Sequence, residues 1–184
     1  MKVPLSDRNK ALIIVDVQVG FLNDRNGYIV QNIESLIKNY EYNFFVESVF
    51  HAEKGSLWDK QTGWVLPKDA NFCTVKEITD LIQNKDCLHI EKTTKSVFKG
   101  NQNLFKELRE RNIEEIHIVG LDSNDCVLAT AYEAFDLGFY TYVIEECVES
   151  SDSEKMRDIG FEVLRHVNLT NNSCVEDIKF AQIT

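Results

Sequence analysis

Ala11-Leu12-Ile13-Ile14-Val15, closed by Asp16, is an uninterrupted apolar run with no polar residue at alternate positions. A strand with one face in water alternates apolar and polar residues, so a run apolar on both faces predicts a strand buried on both sides, the habit of parallel sheets. Reading outward, Ile33, Leu36, Ile37 and Tyr40 recur at helical spacing, and residues 44–50 are aromatic and β-branched enough for a second strand. Thr74-x-x-Glu77 reads as a capping box opening a helix through Leu81 and Ile82, and residues 87–91 as a third strand. Asn101 is placed to cap a helix carrying Leu104, Phe105 and Leu108, followed by a strand over 113–119 that ends at Gly120. A helix over 127–137 stops at Gly138, and a strand follows over 139–144. Ser151-x-x-Glu154 is a second capping box for a helix with Met156, Ile159 and Leu164, and 167–169 is a short final strand. Strands alternating with helices imply an open, mostly parallel α/β sheet. No repeat, linker or charge block divides the chain, so residues 1–184 are expected to form one domain.

Composition narrows the partners. The 184 residues are 43% hydrophobic and 27% charged, enough apolar material for a core. Thirty acidic against twenty basic residues give a net charge of −10, a field that repels phosphate backbones and anionic lipid. Neither nucleic acid nor a membrane is therefore an expected partner. The apolar run near the N-terminus is too short for a signal-peptide core or a span, which points to the cytoplasm. Cys73, Cys87, Cys126, Cys147 and Cys174 include no CxxC pair and read as reduced thiols. The sequons at Asn168 and Asn171 are taken as chance matches.

In open parallel sheets functional groups collect beyond the carboxyl ends of the strands. That rule selects Asp16, Lys92 and the segment after Gly120. A carboxylate at the mouth of a buried strand is partly desolvated, which raises its pKa and suits it to proton transfer. A lysine ending a strand could hold that carboxylate ionised; on position alone Lys95 is an equal rival to Lys92. Cys126 falls where a strand gives way to a helix, whose amino end favours a thiolate and offers free amides to an oxyanion. The other cysteines fit better as small buried apolar residues.

Together these residues stand in a recognisable context. Leu12-Ile13-Ile14-Val15-Asp16-Val17-Gln18 with Gly20-Phe21-Leu22, Lys92 ahead of Ser96-Val97-Phe98, and Gly120-Leu121-Asp122-Ser123-Asn124-Asp125-Cys126-Val127 resemble the isochorismatase-like cysteine hydrolases, a family that includes nicotinamidases and N-carbamoyl amidases. Ala129-Thr130-Ala131, residues 135–138 and residues 143–146 extend the likeness over nearly the whole chain. The resemblance implies a doubly wound, Rossmann-like fold with helices on both faces and an Asp-Lys-Cys triad of Asp16, Lys92 and Cys126. Spacing to Ser96 and Phe98 selects Lys92 over Lys95. It further implies a cis peptide at Leu121–Asp122, an oxyanion hole from the amides of Asp122 and Cys126, and cleavage of an amide or carbamoyl C–N bond through a thioester. The expected partner is a small-molecule amide, and the expected assembly a homo-oligomer, dimer or tetramer.

Two departures matter. Metal-binding nicotinamidases carry Asp-x-His after the second strand, where this chain has Val49-Phe50-His51. His89, His117 and His166 are scattered, three zinc ligands cannot be assembled, and neither metal nor other cofactor is expected. In the nucleophile loop, Ser123 and Asn124 stand where the family commonly has Thr and Asp, which removes a charge. Phe21, Trp64 and Phe98, with Trp58, are candidates for an aromatic pocket wall. Alternative readings are vinyl-ether hydrolysis by the aspartate without covalent catalysis, as in isochorismatases proper, and a non-catalytic binding or scaffold protein.

Overall fold

The computed structural model describes residues 8–170 and 175–181. The decisive apolar run lies in strand β1 (Lys10–Val15), buried at every position. Beside it run β2 (Phe44–Phe50) on one side and β4 (Glu115–Leu121) on the other, with β3 (Cys87–Lys92) and β5 (Tyr140–Glu149) outermost. The order β3-β2-β1-β4-β5 is parallel at every pairing, as the absence of alternation in β1 requires.

Successive side chains of a strand point to opposite faces, and β1 feeds two cores. Ala11, Ile13 and Val15 face one with Val97, Leu104, Val127, Ala131 and Leu164, from α4 (Val97–Gly100), α5 (Leu104–Glu110), α6 (Cys126–Asp136) and α7 (Glu154–His166). Leu12 and Ile14 face the other with Ile29, Ile33 and Leu36 of α1 (Tyr28–Asn39) and Ile78 of α3 (Lys76–Ile82). Each fully buried Leu or Ile contributes about 1.5–3 kcal/mol of transfer free energy. The short α2 (Leu57–Thr62) buries no residue and stands over the carboxyl edge of the sheet.

Register places the functional end. Val15 pairs with Ser48 of β2 and Gly120 of β4, and Phe50 with Lys92 of β3, so the chain leaves these strands on one rim. Strand order reverses between β1 and β4, with β2 and β3 added on one side of β1 and β4 and β5 on the other, the switch point where such sheets open a crevice. Gly120 makes that crevice: at φ +111° a Cβ would lie 2.1 Å from the Val15 carbonyl oxygen, so only glycine admits this approach.

Several element boundaries differ from expectation, each for a local reason. Helix α3 starts at Lys76 without a side-chain cap, because the Thr74 hydroxyl donates instead to buried Glu47. Ser153, not Ser151, caps α7, accepting from the Met156 amide. β5 runs five residues beyond Ile144 to Glu149, and the final strand reduces to a single bridge between Val143 and Thr170. Cys73, Cys87, Cys126 and Cys147 are free thiols; Cys174 and the Asn171 sequon lie outside the described residues. No helix among the described residues is long and apolar enough to cross a membrane.

Candidate active site

Asp16 leaves β1 at φ +53°, a left-handed conformation that costs a non-glycine residue roughly 1–3 kcal/mol and needs support from its surroundings. Support comes from both sides. The Asp16 amide donates to the Ser48 carbonyl at 3.0 Å and its carbonyl accepts from the Gln18 amide at 2.8 Å. Gln18, fully buried, clamps the turn: its amide group donates to the Phe50 and Phe72 carbonyls, and its oxygen accepts from the Phe50 amide.

The carboxylate so aimed accepts at Oδ1 from Ser48 Oγ (2.8 Å) and at Oδ2 from Lys92 Nζ (2.7 Å). Lys92 reaches it from the end of β3 by crossing over β2, its ammonium 5.1 Å from the centre of the Phe50 ring. Both charges are buried, at 1% and 2% exposure. Lys95 takes another course: it pairs with Asp125 and lies 4.1 Å over the Trp58 ring, at 37% side-chain exposure. The structure therefore brings Lys92, and not Lys95, to Asp16.

Cys126 is the first residue of α6, and its thiol hydrogen-bonds to Asp16. Burial pushes the Asp16 carboxyl up, against the opposing pull of Lys92. Burial also pushes the Cys126 thiol up, and the neighbouring Asp16 charge adds to it, outweighing Lys92 and Lys95. Desolvation and the adjacent carboxylate thus act against the stabilisation of a thiolate expected from the helix terminus. Thiol and carboxyl are both pushed up by the burial they share, and Lys92 opposes the shift at each.

The Leu121–Asp122 peptide is cis. The Asp122 carbonyl accepts from the Asp125 and Val127 amides, while the Asp122 and Cys126 amides donate to no carbonyl of the described residues. The Asp122 carboxylate turns aside to accept from the Ser151 amide (2.5 Å) and hydroxyl (2.9 Å). Burial raises its pKa. Helix α7 presses on this loop at Gly160, where a Cβ would stand 2.5 Å from the Ser123 carbonyl carbon. Asn124 beside it holds a buried Oδ1 without a hydrogen-bond partner among the described residues.

Above Asp16 and Cys126 opens a cavity of about 620 Å³, in the range of small-molecule sites. Phe21, Trp58 and Trp64 line it. Phe98 does not: it is 5% exposed within the core and stacks on Phe139, because its helix turns that face toward α6. Sequence reading missed Phe50, Ser151 and Asp152 on the cavity wall. They sit at the carboxyl ends of β2 and β5, so the strand-end rule would have reached Ser151 and Asp152 had β5 been given its full length.

The residues do not fit a zinc site. Val49 is buried in the strand, and among the described residues no three His, Cys, Asp or Glu side chains are placed to hold one metal ion. His51 packs edge-on against Phe72, its Nδ1 3.8 Å from Glu53, and burial holds its pKa down.

Residues 10–173 match the Isochorismatase domain family. The chain is 30% identical over 164 residues to the uncharacterized isochorismatase family protein YwoC of Bacillus subtilis, covering 82% of this chain and 84% of that protein. A stretch of 66 residues, 36% of each chain, is 41% identical to the uncharacterized isochorismatase family protein PncA of the same organism. Among solved structures, the pyrazinamidase/nicotinamidase from Streptococcus mutans UA159 superposes with a TM-score of 0.71 at 24% identity, over 88% of this chain and 99% of that one. With the family matched over all five strands and the whole cavity rim, the chain belongs to the isochorismatase-like cysteine hydrolase family.

Proposed function

We propose that the protein hydrolyses the C–N bond of a small carboxamide or carbamoyl compound through an acyl thioester on Cys126. One observation carries this reading: a thiol, a carboxylate and an ammonium, all buried, meet at the floor of a cavity sized for a small molecule. The Streptococcus mutans protein of like fold, a pyrazinamidase/nicotinamidase, supports the choice of amide over other acyl groups.

Asp16 takes the thiol proton as Cys126 Sγ attacks the carbonyl carbon; a C–S bond forms and the carbonyl π electrons move to oxygen. The Asp122 and Cys126 amides receive that oxyanion, which costs little because they donate to no other group among the described residues. The oxyanion collapses, the C–N bond breaks, and Asp16 returns its proton to the leaving nitrogen. Water then attacks the thioester, Asp16 takes its proton, the C–S bond breaks, and the same proton restores the thiol. The raised pKa of Asp16 makes it a better proton acceptor than an exposed aspartate, while Lys92 keeps it charged between turnovers. Because burial and the Asp16 charge hold the thiol pKa up, proton transfer to Asp16 accompanies attack.

The test is ammonia release from a panel of small carboxamides and N-carbamoyl compounds, with mass spectrometry of rapidly quenched enzyme. Turnover with an acyl adduct on the peptide containing Cys126 is the expected result. Undiminished turnover by Cys126→Ala would overturn the covalent scheme and leave Asp16 acting directly on water.

A further inference from the structure

The walls of the cavity divide by chemistry. One side is a run of aromatic rings: Phe21 stacks on Trp64 at 5.9 Å, Trp64 on Phe50 at 5.8 Å, and Phe50 meets Trp58 edge-on at 5.2 Å. The other side carries the carboxylates of Asp122, Asp125 and Asp152, with Asp16 on the floor; among the described residues no lysine or arginine lines the cavity, and Lys95 stands at its edge over the Trp58 ring.

The nearby cations are already committed. Lys92 is buried beneath the floor against Asp16, and Lys95 is paired with Asp125. Asp122 is held by the Ser151 amide and hydroxyl, which carry no charge to offset its own. Asp152 is exposed at the mouth, and its carboxylate has no hydrogen bond or ion pair within the described residues. Its field reaches both Asp122 and Lys95. Aromatic faces are themselves negative and attract cations, so rings and carboxylates act on a ligand with the same sign.

Resting on the amide-hydrolase reading, we propose that the substrate is a small carboxamide whose far end is positively charged, seated on the aromatic wall with Asp152 as its specificity-determining partner. The amide end must reach Cys126 on the floor, which leaves the charged end toward the mouth, where Asp152 stands. A substrate with a carboxylate at that end would meet uncompensated negative charge and is rejected.

Three aryl amides of similar shape test this: 1-methylpyridinium-3-carboxamide, pyridine-3-carboxamide and 3-carbamoylbenzoate. In the wild-type enzyme kcat/KM falls in that order, by about tenfold from cation to anion or more, and mainly through KM, as uniform binding requires. Asp152→Asn narrows the cation-to-anion ratio at least about fivefold, whereas Asp136→Asn, at the far end of α6, leaves it in place and controls for net charge. A preference for the anion, or a ratio that Asp152→Asn does not move, overturns the proposal. Calorimetry of the same amides with Cys126→Ala separates it from the reading beneath it. Cation-selective binding without wild-type turnover sustains the charge preference and removes the amidase; turnover with equal affinities does the reverse. No binding and no turnover of any of the three overturns both.

Discussion

At the amino end of the sheet Glu115 lies between Arg8 and His117, each at 2.9 Å, and His117 in turn meets the Tyr42 hydroxyl at 2.8 Å. At the carboxyl end Asp16 lies between Lys92 and Ser48, at 2.7 and 2.8 Å. Both carboxylates are buried, on adjacent strands, with a cation in contact. Yet burial pushes Glu115 up and is overcome by the hydrogen bonds of His117 and Arg8, so its pKa falls; at Asp16 burial prevails over Lys92 and the pKa rises. Glu115 is saturated with donors and has no proton to receive. Asp16 has one cation, one hydroxyl and a thiol whose proton it can take. The contrast teaches that a buried ion pair is structural or chemical according to what else touches the carboxylate, not according to its depth.

The largest effect expected from breaking this contrast is on turnover. Cys126→Ala lowers kcat for the true amide substrate by at least about 10³-fold, because removing a nucleophile removes its whole pathway. Glu115→Gln, assayed as folded protein, stays within about twofold of wild type, since it touches no part of the cavity. A large catalytic loss in Glu115→Gln with its fold intact would erase the distinction between the two ends.

Next in size is the cost of stranding a charge. Lys92→Met leaves Asp16 buried without its cation and destabilises the protein by roughly 3–5 kcal/mol. Adding Asp16→Asn to Lys92→Met recovers part of that loss, a coupling of about 1.5 kcal/mol or more in a double-mutant cycle followed by urea unfolding. Additive losses would mean that the pair is not energetically joined. At the other end Glu115→Gln strands Arg8, whose side chain is 7% exposed, and costs roughly 2–4 kcal/mol in the same measurement.

How far the two ends were legible in the sequence follows the same physics. Asp16, Lys92 and Cys126 stand where a strand stops or a helix starts, and hydrophobic periodicity marks those places well. The amino-end cluster left no such mark, because Glu115 and His117 lie inside a strand pattern and Arg8 precedes one. The cavity wall was half legible. Phe21 follows Asp16 closely and shares its rim, whereas Phe98 follows Lys92 through a helical turn that rotates it into the core. Glu145 and Glu146 end the apolar run of β5, so the strand was expected to stop there. It continues to Glu149 because that buried carboxylate is met by Arg25 and Arg157 from elsewhere in the chain, which no local pattern reveals. Ser151 and Asp152 were hidden with it. The state of the thiol was illegible for a related reason: helix position is local, but desolvation by packing is not.

The smallest effect is the most discriminating, because the two carboxylates give pH slopes of opposite sign. Glu115 lies below its ordinary value of 4.5, so near that pH the unfolded chain binds its proton more readily than the folded one. Its contribution is therefore present above pH 4.5 and is lost as pH falls through the folded value. Asp16 lies above its ordinary value of 3.8, so the folded protein holds that proton longer, and its contribution is lost as pH rises from 3.8 through the folded value. Urea unfolding of wild type, Glu115→Gln and Asp16→Asn, from about pH 3 to about pH 7 at fixed ionic strength, separates the two. Wild-type stability minus that of Glu115→Gln rises with pH across its window, and wild-type stability minus that of Asp16→Asn falls across its own. Each separation of one pKa unit between folded and unfolded states is about 1.4 kcal/mol, which such curves resolve. Two difference curves of the same sign would show that Lys92 prevails over burial at Asp16, making it a saturated carboxylate like Glu115 and a poor acceptor for the thiol proton.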